Sequence, residues 1–527
     1  MTSLISKIKK VLKRPMPLIV FSSIISIGTL VAYNIPFFQY VIDNSNESAI
    51  GLVWLVVSLV IIMLAANFMM TYLTMFCLRI VGRILLAILS IINALSLYFI
   101  LTYNIIIDEN VIRNVFNTRY SEASGFFSWS LWIFLFAFGV LPAIYCLIQP
   151  VKMGKAKKMG KLCGSSLGVI LVFALMNYNQ VLFVSQHDTE LGALLQPWSY
   201  IVNTIRVISI SQDKQAEEIK LPDGKITDDD KAVVVLVIGE SARKANFQLY
   251  GYKRDTNPLL SKVKDLKVFE TQSCATYTTA GTKAILEPKE SGDLYEILPN
   301  YAFRTGADVA WRTFNWGEPP VHIDEYLTQP ELAKIYPNVD ARYDELLFTG
   351  LRERIEKSPK NKVLIVLHTT TSHGPQYASK YPKKFEVYKP VAKNVEEGEK
   401  NVGMLVNAYD NTIRYTDYLL NGLISTLRSM TDRKTAMIFI SDHGESLGEG
   451  KMFMHGLPKK LAPKEQYEIP FLVWTSEGYR EYRTDLPAVL EQHYVFHSVL
   501  NLLSIQSPAY NEKFDIFKPA TISTETK

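Results

Sequence analysis

Residues 436–456 read AMIFISDHGESLGEGKMFMHG. The run Ala436–Ser441 is short, apolar and interrupted by no turn former, as expected for a central strand of a parallel sheet covered on both faces. Asp442-His443-Gly444 follows at once, and His455 comes twelve residues after His443. A strand that runs straight into Asp-His-Gly puts a carboxylate and an imidazole at the carboxyl edge of a sheet, where open α/β sheets bind their ligands. Within a strand the two neighbours would point to opposite faces. Past its end, with Gly444 next, both can turn onto one ion.

Two further runs repeat the arrangement. Ala232–Gly239 (AVVVLVIG) ends in Glu240-Ser241, and Val363–Leu367 (VLIVL) runs into His368 and then His373-Gly374-Pro375. Phe471–Trp474 is a candidate fourth strand, and helical patterns cover Val406–Ser429 and Gln492–Leu503. Strands and helices in this alternation predict an α/β sandwich. Oxygen and imidazole groups at three strand ends suit zinc, or manganese as the weaker fit. His493 and His497 form an HxxxH pair, but on an apolar helix with only Glu491 as a nearby carboxylate, so a structural role is expected. His187 and His322 belong to no pattern.

The sequence before residue 186 has a different character. Five stretches approach the roughly 20 apolar residues a membrane crossing needs: Pro17–Val31, Leu52–Thr71, Ile84–Leu101, Phe126–Ile148 and Leu162–Val184. Residues 1–16 carry Lys7, Lys9, Lys10, Lys13 and Arg14 and no acid. The gaps that follow hold first Asp43 and Glu47, then Arg79 and Arg83. Next comes a mixture of Asp108, Glu109, Arg113, Arg119 and Glu122, and last Lys152, Lys155, Lys157, Lys158 and Lys161. Basic loops alternate with acidic or mixed ones, which predicts a cytoplasmic N-terminus and everything after the fifth span on the outer side. The net charge of +5 over 527 residues sits mainly beside the apolar runs, so a nucleic-acid partner is not expected. A wholly soluble, disordered or coiled-coil protein is excluded.

Between the halves, Leu191–Ser211 has apolar residues at helical spacing. It could lie on the membrane surface or pack on the soluble domain. Gln212–Lys231 reads as an exposed linker around Pro222-Asp223-Gly224. Cys77, Cys146 and Cys163 fall in or beside the spans, which leaves Cys274 without a disulfide partner in the outer domain.

Five segments together resemble one family: VVVLVIGESARKANFQLYGYKRDTNPLL (233–260), SCATYTTAGTKAIL (273–286), TTTSHGP (369–375), AYDNTIRYTDYLL (408–420) and SDHGESLGEGKMFMHG (441–456). They look like the phosphoethanolamine transferases that modify lipid A, within the alkaline phosphatase and sulfatase superfamily. Around Cys274 the likeness is greatest to the Helicobacter-type members. The resemblance implies five transmembrane helices over 1–185, an interfacial helix and linker over 186–231, and a periplasmic α/β sandwich of the alkaline phosphatase/sulfatase type over 232–527.

It also implies a bacterial inner-membrane enzyme, expected as a monomer. Phosphoethanolamine would pass from phosphatidylethanolamine to lipid A, giving resistance to polymyxin and other cationic peptides. Another glycan, a core sugar or a protein remains open as acceptor. The metal set implied is Glu240, Thr278, Asp442 and His443 around one zinc ion, with a second zinc left open. Thr278, four residues after Cys274, matches the nucleophile; Thr276, Thr279 and Thr282 share its loop, and Thr279 is the next candidate. His373 and His455 match residues that contact the phosphoryl group, or a second zinc, and act as acid and base. Asn315 matches a substrate-binding residue, although no motif anchors it and a plain loop asparagine is the alternative reading.

The chemistry agrees with the residue types, because a threonine hydroxyl is a poor nucleophile until a metal or base activates it. One departure is clear. The family's second cysteine falls at Ala284 here, so the nucleophile loop is expected to be held by packing alone. A membrane-tethered sulfatase would need a CxPxR-type motif, and Cys274 is followed by Ala275-Thr276-Tyr277. A non-catalytic scaffold should have lost a ligand, and each is present.

Overall fold

The structure is a computed structural model and describes residues 14–45, 47–117, 126–177, 187–213, 218–374, 376–393 and 395–518. Lys7, Lys9, Lys10, Lys13, Arg119, Glu122, Pro375 and the expected end of the fifth span (178–184) lie outside them. The chain divides into two compact units, one drawn from Met1–Phe116 and Phe127–Gln212, the other from Asn117–Phe126 and Asp213–Lys527.

The first unit is helical. Helix α1 (Leu18–Tyr33) meets α2 (Ile35–Asn44) at a 55° bend. The bend falls where Pro36, at the start of α2, has no N–H for the helix to continue through. The expected second and third spans both lie in α3 (Ala49–Tyr103), which is interrupted at Arg79 by a non-helical φ of 47°. Leu55 and Ile100 share one apolar core. A straight helix would hold them about 68 Å apart at 1.5 Å per residue. A Cβ on Gly82 would lie 2.6 Å from the Thr74 carbonyl, so the chain reverses at Arg79 and its two limbs run side by side.

Helix α4 (Trp129–Ile148) contains a π-helical turn at Phe136–Val140, and α5 (Ala156–Met176) follows. By length and apolarity α3, α4 and α5 are each able to cross a membrane, and the bent pair α1–α2 makes a fourth.

The stretch expected either on the membrane surface or on the soluble domain forms α6 (Trp198–Asp213) and packs into the helical unit. Amides fasten it. Trp198 Nε1 donates to Asn67 Oδ1 at 3.0 Å, the Tyr200 hydroxyl to Asn93 Oδ1 at 2.9 Å, and Asn203 Nδ2 to the Ile107 carbonyl at 2.8 Å. Polar groups buried among apolar helices need partners of this kind, and each partner fixes the helix it belongs to.

The second unit is built on an eight-stranded sheet. In chain order its strands are β1 (Ala232–Gly239), β2 (Lys267–Gln272), β3 (Asp308–Thr313), β4 (Glu325–Thr328), β5 (Lys362–His368), β6 (Lys434–Ser441), β7 (Glu468–Thr475) and β8 (Leu490–Glu491). Across the sheet they run 8-2-7-6-1-5-3-4. Strands β6, β1, β5, β3 and β4 are parallel, and β7 runs against β6 and β2. The three strands read from apolar runs are thus the centre of the sheet, and β1 and β5 are buried throughout.

Register carries their ends to one edge, since Ile238 of β1 pairs with both His368 and Ile440. One face is covered by α9 (Tyr494–Leu502), whose Val495, Phe496, Val499 and Leu500 share a core with Val234, Leu236 and Ile238. Helix α8 (Val402–Arg428) lies against the sheet beside β6. The short helix α7 (Thr278–Leu286) carries the threonine loop.

Gln212–Lys231, expected as an exposed linker, is tied into this unit from Ile219 onward. Ile219 bridges to Tyr295, Leu221 is buried with its N–H on Glu296 Oε2 at 3.0 Å, and Lys225–Ile226 pairs with Ile505–Gln506. Apolar residues at every third or fourth place were absent, and isolated Ile219, Leu221 and Ile226 gave no periodic signal.

Candidate active site

Glu240, Asp442 and His443 leave the ends of β1 and β6 and converge, all fully buried. Glu240 Oε1 is 3.2 Å and Asp442 Oδ2 3.5 Å from His443 Nε2. Thr278, the first residue of α7, places its hydroxyl 3.3 Å from Glu240 Oε2 and 3.4 Å from His443 Nε2. Zinc bound at about 2.0–2.1 Å by tetrahedral oxygen and nitrogen ligands has ligand-to-ligand edges of about 3.3 Å. These four separations lie near that spacing, with Glu240 meeting His443 through Oε1 and Thr278 through Oε2.

Their orientation is set by backbone. His443 Nδ1 donates to the Gly444 carbonyl at 2.8 Å, which turns the Nε2 lone pair to the carboxylates. Asp442 Oδ1 accepts from the N–H groups of Ser241 (3.1 Å) and His443 (2.7 Å). Its Oδ2 is buried with no hydrogen-bond partner. Ser241 has a φ of 54°, a left-handed conformation that costs a non-glycine residue about 1–2 kcal/mol. Its hydroxyl donates to Glu240 Oε1 at 2.8 Å, and its carbonyl accepts from Tyr409 of α8 at 2.6 Å. Gly444 turned out to be needed for proximity rather than for turning, because a Cβ there would lie 2.1 Å from the Glu465 carbonyl.

The protonation pattern is that of a cation site. Burial, then the charge of Glu240, push Asp442 up to about 8. Burial works against the imidazolium, but the charge of Asp442 and the hydrogen bond to Glu240 raise His443 to about 10. Burial likewise opposes the Glu240 carboxylate, and the His443 hydrogen bond and charge outweigh it and hold Glu240 well below the usual range. At neutral pH the two carboxylates and the imidazole hold two protons between them, on Asp442 and His443, and a divalent ion would take their place. The residues therefore fit zinc.

A second group opens from the first. His373, His455 and Glu240 offer ligand atoms within 4.8 Å of one another. The His443 and His455 rings are 4.3 Å apart, and those of His373 and His455 5.5 Å. His373 Nδ1 donates to the Gly374 carbonyl at 2.6 Å. His455 Nδ1 lies 2.9 Å from Glu445 Oε2, a buried carboxylate within the DHGES segment that the sequence reading passed over.

Asn315, expected to bind substrate, is buried with Nδ2 donating to Glu240 Oε2 and, at 3.2 Å, to the Thr369 carbonyl. It stands behind a ligand. His368 stays out of both groups, buried 3.7 Å from Glu318 and edge-on to Trp311. Thr276 is turned to the Leu457 carbonyl, and Thr282 is buried. On α9, His497 Nε2 bonds the Pro288 carbonyl at 2.9 Å, as its structural assignment requires.

Residues 232–505 match the sulfatase family, and residues 62–211 match the family described as phosphoethanolamine transferase EptA/EptB. The chain is 36% identical to phosphoethanolamine transferase EptA of Helicobacter pylori over 93% of its own length and 94% of that protein's. It is 25% identical to the Kdo(2)-lipid A phosphoethanolamine 7''-transferase of Escherichia coli over 81% of this chain and 82% of that one. The integral membrane lipooligosaccharide phosphoethanolamine transferase A of Neisseria meningitidis has the same fold, with a TM-score of 0.84, 24% identity, and coverage of 95% of this chain and 98% of that one. The chain belongs to the phosphoethanolamine transferase family, on a sulfatase-type catalytic domain.

Proposed function

We propose that this protein moves phosphoethanolamine from phosphatidylethanolamine to lipid A at the bacterial inner membrane, by way of an ester on Thr278. The buried convergence of Glu240, Asp442 and Thr278 on His443, each within 3.5 Å of its Nε2, carries the reading. Those four residues would hold zinc, and a bound ion would supply positive charge to the threonine oxygen and to the phosphoryl group in transfer.

The chain's own groups do the rest. The Thr278 hydroxyl passes its proton to Glu240 Oε2, 3.3 Å away, and attacks phosphorus in line as the bond to the diacylglycerol oxygen breaks. His455, oriented by Glu445, gives that oxygen its proton. Diacylglycerol leaves; in the second half a phosphate hydroxyl of lipid A gives its proton to His455, with His373 beside it, and displaces Thr278, which takes back the proton held by Glu240. The relatives' names support transfer of phosphoethanolamine, and the name of the Escherichia coli Kdo(2)-lipid A enzyme supports an acceptor of the lipid A class.

The membrane part is read as five spans: the bent pair, the two limbs of α3, α4 and α5. The count is odd, so a cytoplasmic N-terminus puts the catalytic domain in the periplasm. Incubating the purified full-length protein with phosphatidylethanolamine should release diacylglycerol and leave phosphoethanolamine on the peptide containing Thr278. Diacylglycerol release with no protein adduct would overturn the two-step route. Lipid A that has the same mass in cells with and without the gene would overturn the acceptor.

A further inference from the structure

Gln492 follows β8, whose Leu490 and Glu491 pair with Thr271 and Gln272 of β2. That register sets Gln492 beside Ser273 and Cys274, where the chain leaves β2 for the Thr278 loop. The side chain is buried, and both ends of its amide are occupied by backbone. Oε1 accepts from the Cys274 N–H at 3.0 Å, while Nε2 donates to the carbonyls of Ser441 (3.2 Å) and Asp442 (2.7 Å). A primary amide offers an acceptor oxygen and two N–H donors, so this one joins two segments without leaving a donor over.

The two segments are the ones that must agree. Asp442 is a ligand, and Cys274 stands four residues before Thr278. The Asp442 carbonyl that accepts from Gln492 also meets α7, since a Cβ on Gly281 would lie 2.1 Å from it. Packing alone leaves the loop room to recede, because a cavity of about 240 Å³ lies behind it, lined by Cys274, Ala284, Glu290, Lys459 and Gln492 among others. Gln492 forms part of its wall and ties the Cys274 backbone to Ser441 and Asp442.

We infer that Gln492 is a positioning residue that holds the Thr278 loop in register with the Asp442–His443 corner, taking the part that a covalent crosslink of the loop would otherwise play. The inference rests on the reading of Thr278 as nucleophile. Other side chains do not substitute: Glu keeps the acceptor and loses both donors, Asn is a methylene too short, and Met has the length with no hydrogen bond.

The test uses full-length protein in micelles with Cys77, Cys146 and Cys163 replaced by Ser, leaving Cys274 as the reporter thiol. In Gln492→Met, kcat should fall about 10²-fold, the usual effect of a displacement near 1 Å at a reacting group. KM for phosphatidylethanolamine and zinc content should stay within about twofold of the parent, as expected when only orientation is lost. Cys274, whose Sγ faces the Ala280 carbonyl at 3.5 Å, should react faster with a maleimide. Gln492→Glu should behave alike, which guards against a packing artefact of Met. Unchanged kcat in both variants, or zinc lost in step with kcat, would overturn the assignment. An adduct on another residue of the parent protein would defeat the Thr278 reading alone, and the maleimide rate would still report whether Gln492 holds the loop.

Discussion

His443 and His497 are both buried histidines of the catalytic unit, and each has a second histidine close by. His497 has both ring nitrogens engaged by backbone, Nε2 on the Pro288 carbonyl at 2.9 Å and Nδ1 accepting from the Asn511 N–H at 3.1 Å. His443 gives Nδ1 to the Gly444 carbonyl and turns Nε2 to two carboxylates and a threonine hydroxyl. Burial drives the first toward the neutral form, to about 4, and carboxylates drive the second the other way. The HxxxH spacing of His493 and His497 mimics a zinc site in sequence, yet it holds none of the carboxylates that surround His443. What separates a ligand from a structural histidine is whether a lone pair is left over and what charge it meets.

Removing charge at the ligand corner should have the largest effect. Asp442→Ala should lower transfer by at least about 10³-fold, because it takes away electrostatic stabilisation of the phosphoryl group together with the ion. Zinc measured by mass spectrometry should fall with it, while His497→Gln retains the wild-type amount. Equal zinc in the two variants would erase the distinction between the sites. Thr278→Ala should abolish transfer and adduct formation yet keep most of its zinc, since Glu240, Asp442 and His443 remain. Thr279→Ala should keep both activities.

The ligand corner was legible because its residues stand in runs. Continuous apolar strands at 232–239 and 436–441 end directly in ligands, the strand at 363–367 leads to His373 five residues past His368, and parallel register brings such ends to one edge. What holds the corner was not legible. Gln492, Gly281, Tyr409 and Ser241 act on main-chain groups 50 to 218 residues away or through a left-handed φ, and backbone groups leave no mark on the residue types that meet them. In the helical unit, hydropathy located the apolar stretches, but the reversal at Arg79 depends on one dihedral angle and the placement of α6 on scattered asparagines.

Asn315 offers a finer cut, because its role differs between the two readings. As a donor to Glu240, Asn315→Leu should weaken zinc binding 10–100-fold, the usual cost of losing a group that orients a ligand. KM for phosphatidylethanolamine measured at saturating zinc should then stay near wild type. A raised KM with unchanged zinc affinity would return Asn315 to the substrate-binding role expected from the sequence.

The smallest effect on activity belongs to His497, and it should appear in stability instead. His497 titrates near 6.5 when unfolded and near 4 in the fold, mainly because burial opposes the imidazolium. Between those values the unfolded chain holds a proton that the folded chain does not. Stability from this group is therefore complete above about pH 6.5, declines as pH falls, and levels off below about pH 4, with a full span of about 3 kcal/mol. His497→Gln loses the two backbone bonds and should unfold at lower temperature than wild type at pH 7.5. The gap should close toward pH 5, because only the wild type carries the proton penalty. Each kcal/mol corresponds to about 2–4 °C for a domain of this order of size. The ligand corner is identical in both proteins, so its own pH dependence cancels from their difference. A gap that stays constant with pH would mean that His497 is not held neutral, and one that widens on acidification would mean that it gains charge on folding, as His443 does.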